Sequence, residues 1–297
     1  MSTVTNRESR SDNAIKIADG LVVGRIGYGA MQLTGPQVWG EYPDRDGANA
    51  LLRHVADAGV TLIDTADVYG PHSNELLIHD ALHPYPNDLV IATKGGFVRG
   101  GFDYSTLDAI GNRNYLRQSA HMSARRLGVE TIDLYYLHSG RAIDAPFEDQ
   151  VATLAELRDQ GVIRHIGLSN VSVEQFEAAR AIVDIAAATA QYNLSSRLGG
   201  PLLAAAEAAG AMFCPYHPAT IDGDNAAVIR AAVAPIAELH QATIQQIALA
   251  WHLHRSTVSV PIPGTTSADH FDQNLAAARI DLSLEEVQSI TELIAEA

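Results

Sequence analysis

A single cysteine, Cys214, stands among the 297 residues. An internal disulfide is thereby ruled out, and the usage fits a reducing compartment. Basic residues are also scarce: 20 Lys and Arg stand against 35 Asp and Glu, a net charge of −15. That surface repels a polyanion over most of its area, which makes nucleic acid a poor partner. A few local donors can still hold a phosphate. No uninterrupted apolar run approaches the roughly 18–20 residues a membrane helix needs, and Met1–Asn13 lacks the apolar core of an export signal. These absences lead to the expectation of a cytoplasmic protein with no membrane and no nucleic-acid partner. No composition shift, repeat or long linker divides the chain, so residues 1–13 are expected as a disordered tail and 14–297 as one domain.

What is present is alternation. Short apolar runs, read as strands, cover Arg25–Met31, Thr61–Asp64, Leu89–Lys94, Leu134–His138, His165–Ser169, Thr189–Tyr192, Met212–Pro215 and Val258–Pro263. Between them lie helix-like stretches at Asp46–Ala58, Ser73–His83, Arg113–Leu127, Pro146–Gln160, Ser172–Ala181, Pro201–Ala209 and Ala226–His240. Strands alternating with helices imply a parallel sheet, and nearly continuous apolar runs imply burial of both its faces. Eight such units predict an α/β fold, a closed (β/α)8 TIM barrel. Ala14–Val23 reads as a β-hairpin turning at Asp19-Gly20, suited to plug the barrel bottom. Ser267–Arg279 and Ser283–Ala297 read as extra C-terminal helices, the second opened by the capping pattern Ser283-Leu-Glu-Glu286.

Chemistry is expected where strands end, because barrel active sites sit at the C-terminal strand ends. Three consecutive runs end in ionisable groups: Asp64, Lys94 and His138. Ile166-Gly-Leu-Ser-Asn170 and Ala190-Gln-Tyr-Asn193 add polar groups on the next two. A single polar strand end is commonly just the chain reaching solvent. Adjacent strands lie about 4.8 Å apart, so three in succession can converge on one small volume. Tyr69, five residues after Asp64 in Asp64-Thr-Ala-Asp-Val-Tyr-Gly70, can fold back over the mouth. A phenol titrates near pH 10. A nearby ammonium would lower it, and a carboxylate would hold the ammonium in place. Such a phenol is a sound general acid for a developing alkoxide, with His138 hydrogen-bonding the carbonyl oxygen. Spacing alone does not choose the reaction.

From Arg25 to Ala278 the chain resembles the aldo-keto reductase family. Asp64-Thr-Ala-Asp-Val-Tyr-Gly70 is similar to the family's Asp-to-Tyr signature, and Lys94 and His138 fall where its remaining catalytic pair is expected. The resemblance implies hydride transfer from NADPH to an aldehyde or ketone, with Tyr69 as proton donor and Asp64, Lys94 and His138 completing the catalytic set. It implies that Ser169, Asn170 and Gln191 hold the nicotinamide carboxamide, that Phe213 stacks on the ring, and that Asp64, Cys214, Pro215 and Tyr216 also contact the cofactor. Gly29, Ala30 and Met31, at the end of the first strand, bring backbone near the cofactor. Ile262-Pro-Gly-Thr-Thr-Ser267, leading into Asp272-Gln-Asn274, resembles the segment for the adenosine phosphate. That gives Pro263, Gly264, Thr265, His270, Gln273 and Asn274 to the cofactor, and a turn opening a helix N-terminus is independently suited to phosphate.

Gly264 and His270 stand where many members carry lysine and arginine. Thr265 and a protonated His270 are then left to hold the 2′-phosphate, and NADPH stays the choice with NADH less excluded than usual. Ser139-Gly-Arg141 departs from the commoner Arg-Pro-Asp after the histidine. Ile26-Gly-Tyr-Gly-Ala-Met-Gln-Leu-Thr-Gly-Pro36, Tyr69-Gly-Pro-His72 and Gly264-Thr-Thr-Ser267 resemble the bacterial pyridoxal reductase branch (pyridoxine 4-dehydrogenases), although Tyr216-His-Pro-Ala-Thr-Ile-Asp222 lacks that branch's Leu-Gly-Gly. Pyridoxal is therefore one candidate carbonyl substrate. A sugar or natural-product ketone is the runner-up, and a cofactor-binding regulatory subunit with vestigial activity is the alternative from another class. Trp39, in the first long loop, is a candidate pocket wall or a loop anchor; Tyr69 and His138 also face substrate. Gly95-Gly96 and Gly100-Gly101 bracket an expected flexible loop. His79-Asp-Ala-Leu-His83 has zinc-like spacing but lies on an outer helix without the protease glutamate, so no metal is expected. Oligomeric state is left open.

Overall fold

The computed structural model describes residues 14–18 and 20–294. The expected tail at 1–13, Asp19 of the expected turn and the last three residues lie outside the described residues. Two short antiparallel strands open the fold, β1 (Ala14–Ala18) and β2 (Leu21–Gly24). Leu21 and Val23 are fully buried among Leu62, Val90 and Leu134, so β2 closes the floor of the barrel.

The barrel strands follow in order: β3 (Tyr28–Gly29), β4 (Leu62–Asp64), β5 (Val90–Gly95), β8 (Ile132–Leu137), β9 (Ile163–Ser169), β10 (Ile185–Gln191) and β11 (Met212–Tyr216). Each pairs in parallel with the next. The eighth run, 258–263, forms no regular ladder but bridges the gap. Val260 N donates to Phe213 O at 2.8 Å and Ile262 N to Pro215 O at 3.3 Å, while Gly27 N and Gly29 N donate to Pro261 O and Pro263 O at 3.0 and 3.2 Å. Its irregularity has a plain cause. On the side facing β3 the residues are Pro261 and Pro263, which accept but have no N–H to donate.

Helices wrap the outside: α1 (Arg45–Asp57), α2 (Ser73–Leu82), α3 (Arg113–Leu127), α4 (Phe147–Asp159), α5 (Val173–Arg180), α6 (Gly200–Ala209), α7 (Ala226–Leu239), α8 (Ile244–Arg255), α9 (Ala268–Ala276) and α10 (Leu284–Thr291). In α1 the buried positions Ala48, Leu51, Leu52 and Val55 make one stripe at helical spacing, and Asp44 caps the first turn by accepting from Gly47 N. Helix α8 is not among the sequence expectations. The glycine-bracketed segment after β5 is also more ordered than expected: β6 (Phe97–Arg99) and β7 (Leu107–Ala109) pair as an antiparallel hairpin that leans over the mouth. Among the described residues no helix is long and apolar enough to cross a membrane.

Candidate active site

A cavity of about 1140 Å³ opens at the C-terminal ends of the barrel strands. Small-molecule pockets commonly span roughly 300–1,000 Å³, so a large cofactor and a substrate fit together. Asp64 ends β4 and Lys94 lies near the end of β5. Their parallel pairing brings the two side chains into contact, and Lys94 Nζ also donates to Thr65 O at 2.8 Å. Both are almost wholly buried. The loop 65–72 turns back on itself through Tyr69 N to Ala66 O and His72 N to Asp67 O. It is anchored by Asn74 of α2, whose Oδ1 accepts from Thr65 Oγ1 at 2.6 Å and whose Nδ2 donates to Ala30 O and Leu33 O. Tyr69 is thereby set over the ion pair, with Lys94 Nζ 5.3 Å from its ring centre. His138, just beyond β8, places its ring 6.0 Å from that of Tyr69 and 4.7 Å from that of Phe97. All four side chains line one cavity.

Their protonation states follow from burial. The Tyr69 hydroxyl is held well above its ordinary value, first by burial and then by the Asp64 charge. The expected lowering by an ammonium is thus corrected: Lys94 spends its charge on Asp64, and desolvation disfavours the phenolate. Burial, then Lys94 and Arg141, hold the His138 imidazole well below its usual range. It is neutral, and its Nδ1 has no hydrogen-bond partner among the described residues. Burial pushes the Asp64 carboxyl upward, opposed by the charge and hydrogen bond of Lys94. The site at neutral pH is therefore a protonated phenol and a neutral imidazole beside a buried ion pair.

The remaining expected residues divide. Gly29, Met31, Ser169, Asn170 and Tyr216 line the cavity, as do Pro263, Gly264, Thr265, His270, Gln273 and Asn274. Asn170 takes a left-handed backbone, φ 54. Its Nδ2 donates to Ser169 Oγ at 2.9 Å and its Oδ1 accepts from the Tyr216 hydroxyl at 2.8 Å. Gly29 and Gly264 pass so closely that a Cβ on Gly264 would lie 2.8 Å from Gly29 O, and one on Gly29 2.7 Å from Ile262 O. Thr265 is pinned by its carbonyl to the Tyr28 hydroxyl at 2.6 Å. Ser267 caps α9 through His270 N, leaving the His270 side chain in the exposed first turn.

Ala30, Trp39, Gln191, Phe213, Cys214 and Pro215 do not line the cavity. Strand alternation explains three of them. Met212 and Cys214 face the barrel interior, and Phe213 faces outward, wholly buried with its ring 6.1 Å from that of Tyr192. Phe213 therefore cannot be the stacking aromatic. Tyr216, in register with Cys214, is the aromatic that emerges at the mouth. Pro215 is buried and gives its carbonyl to the barrel seam. The Ala30 side chain packs in the core beneath α2, and Gln191 stays half-buried with its carbonyl bound by Gly199 N. Trp39 lies behind Arg99, 5.2 Å from its ring, so it anchors the wall that Gln37 and Val38 present.

Several lining residues are not among the sequence expectations: Phe97, Tyr104 and Leu107 from the hairpin, Gln37, Arg141, the turn 217–220, and Thr243 with Gln245 where α8 begins. The α8 start carried a readable signal, since Thr243-Ile-Gln-Gln246 forms a capping box. His79 and His83 stack at 4.8 Å on an outer helix, and no metal-binding cluster occurs among the described residues.

A sequence model of the aldo/keto reductase family matches residues 25–221 and 222–295. An uncharacterised oxidoreductase of Schizosaccharomyces pombe is 40% identical over 273 residues, covering 91% of this chain and 86% of that protein. Pyridoxine 4-dehydrogenase of Escherichia coli is 39% identical, covering 90% of this chain and 93% of its own length. Among solved structures, a thermostable aldo-keto reductase in complex with the inhibitor epalrestat superposes with a TM-score of 0.82 at 28% identity, covering 94% of this chain and 99% of the other. An aldo/keto reductase from Klebsiella pneumoniae in complex with NADP and acetate gives 0.77 at 26%, with 95% of each chain covered.

Proposed function

The chain belongs to the aldo/keto reductase family of oxidoreductases, and from that premise we propose that it reduces an aldehyde to an alcohol at the expense of NADPH, with pyridoxal as the leading substrate. The observation that carries the reading is the convergence of Asp64, Tyr69, Lys94 and His138 on one cavity, with Tyr69 held protonated. NADP in the K. pneumoniae relative and the name of the E. coli relative support the cofactor and the substrate respectively.

The residues present fit a nicotinamide dinucleotide. Ser169 and Asn170 offer amide and hydroxyl partners at one end of the cavity, steadied by the Tyr216 hydroxyl. At the other end, Gly264 and Thr265 lead into the α9 N-terminus, where backbone amides suit a phosphate, and Gln273 and Asn274 line the cavity further along the helix. Gly29 and Gly264, packed against each other and both lining the cavity, present bare backbone against which an extended ligand can lie. When bound, the dinucleotide supplies the hydride. The Tyr69 hydroxyl gives its proton to the carbonyl oxygen, which becomes the alcohol oxygen. His138 holds that oxygen through a neutral ring N–H, and Lys94 Nζ, 5.3 Å from the Tyr69 ring centre, is the cation beside the negative charge left on the Tyr69 oxygen until solvent reprotonates it.

The test is consumption of NADPH by the purified protein with pyridoxal, simple aromatic aldehydes, sugars and ketones side by side. Selective turnover of pyridoxal is the expected result. Broad weak turnover of other aldehydes would keep the chemistry and reject the substrate. Tight NADPH binding without turnover of any carbonyl would reject the enzyme reading.

A further inference from the structure

Arg141 sets the cavity apart from the rest of the molecule. The chain carries a net charge of −15, yet among the described residues the only carboxylate lining the cavity is Asp64, which is already paired with Lys94. Arg141 also lines it and forms no ion pair with any described residue. Its charge therefore stands uncompensated over the mouth.

The guanidinium is also held in place. Ser139, buried at the end of the catalytic strand, accepts from both Arg141 N and Arg141 Nε, at 3.0 and 3.3 Å. Gln175 of α5 donates to Gly140 O at 2.8 Å and fixes the turn from behind. The planar group then rests 5.4 Å from the Phe97 ring, the same ring that touches His138. Its two Nη groups remain for a ligand, as one edge in the fork geometry that carboxylate and phosphate match.

Arg141 cannot belong to the cofactor's adenosine-phosphate end. It follows the fourth barrel strand, and residues 263–274 follow the eighth, on the far side of the barrel. It sits beside His138, on the side walled by the hairpin residues Phe97, Tyr104 and Leu107.

We propose that Arg141 is a specificity-determining residue that binds an oxyanion carried by the substrate, so that a flat aldehyde bearing a carboxylate or phosphate is turned over in preference to its neutral counterpart, pyridoxal 5′-phosphate being the charged form of the pyridoxal read above. The proposal rests on the reductase reading for its substrate. The anion site itself can be measured without turnover.

The experiment compares kcat/KM for benzaldehyde with 4-carboxybenzaldehyde, and for pyridoxal with pyridoxal 5′-phosphate, in the native protein, Arg141→Met and Arg141→Lys. In parallel, binding of terephthalate is titrated in the presence of NADP. Hydrogen bonds to charged groups at a partly solvated site predict a preference of roughly tenfold or more for the anionic partner. That ratio falls towards one in Arg141→Met and is partly kept in Arg141→Lys. The two pairs distinguish carboxylate from phosphate. If neither aldehyde in a pair turns over yet terephthalate binding weakens in Arg141→Met, the anion site stands and the reductase reading fails. Equal treatment of charged and neutral aldehydes by the native protein, or terephthalate binding indifferent to Arg141, overturns the proposal.

Discussion

Among single residues, Tyr69 and Asp67 make the sharpest claims. Tyr69→Phe removes a proton but keeps the ring over Lys94, so NADPH affinity is expected near normal while turnover falls by about 100-fold or more, the scale of a lost general acid. Equal turnover by the variant in a steady-state assay would remove Tyr69 from the role. Asp67 is buried one turn behind, hydrogen-bonded by Ser119 at 2.6 Å, and burial with the nearby Glu75 charge pushes its carboxyl up to about 7. The folded protein therefore binds this proton more tightly than the unfolded chain does. Its stabilising contribution is complete below the unfolded value near 4, and is lost as pH rises through about 7. Thermal unfolding of Asp67→Asn is expected to show a gain over the native protein near pH 8 that is absent near pH 5. A constant offset at both would contradict the buried-proton account. The four residues proposed for catalysis are legible as a group in the sequence, because each lies at or just past the end of a strand whose run is visible. It did not reveal which neighbours face the same way. Phe213 and Tyr216 are both aromatics near one strand end, and only the inward placing of Cys214 tells which emerges at the mouth.

Elements were legible wherever burial imposes one period. Helix α3 and strand β11 fall within a residue of expectation, whereas α8 lies outside the sequence pattern although Thr243 and Gln246 cap it reciprocally. Its apolar residues run almost round the helix, Ile247 to His252 all buried, so no amphipathic stripe marks it. The β6–β7 hairpin was hidden for the opposite reason: it is short, largely solvated and glycine-flanked. Its attachment depends on Arg99, which donates to Gln37 O, Val38 O and Phe102 O and lies between the Trp39 and Tyr104 rings. Arg99→Ala is expected to loosen this wall and lower kcat/KM for the carbonyl substrate by roughly 10- to 100-fold. NADPH affinity, measured by fluorescence titration, should hardly change, because 264–274 lies elsewhere. Loss of both in parallel would mean that the hairpin supports the whole mouth.

The molecule as a whole is closed at one seam, where 258–263 meets β3. Gly264→Ala places a methyl against Gly29 O at that seam and is expected to destabilise the fold by about 1–3 kcal/mol, the range for overpacking, and to weaken NADPH binding. An unchanged melting temperature would show that the seam yields. Any larger side chain at position 264 would meet the same obstacle. The prolines of the seam have a consequence that belongs to the chain before it is finished. A closed barrel has no edge strands, but a sheet that has not yet closed has two. At that stage residues 258–263 form one rim, and on the rim's outward side Pro261 and Pro263 offer carbonyls without amide donors. A neighbouring unfolded copy finds there only half of the pairing it needs, so the partly assembled protein is guarded against sticking to its own copies until Gly27 and Gly29 close the seam.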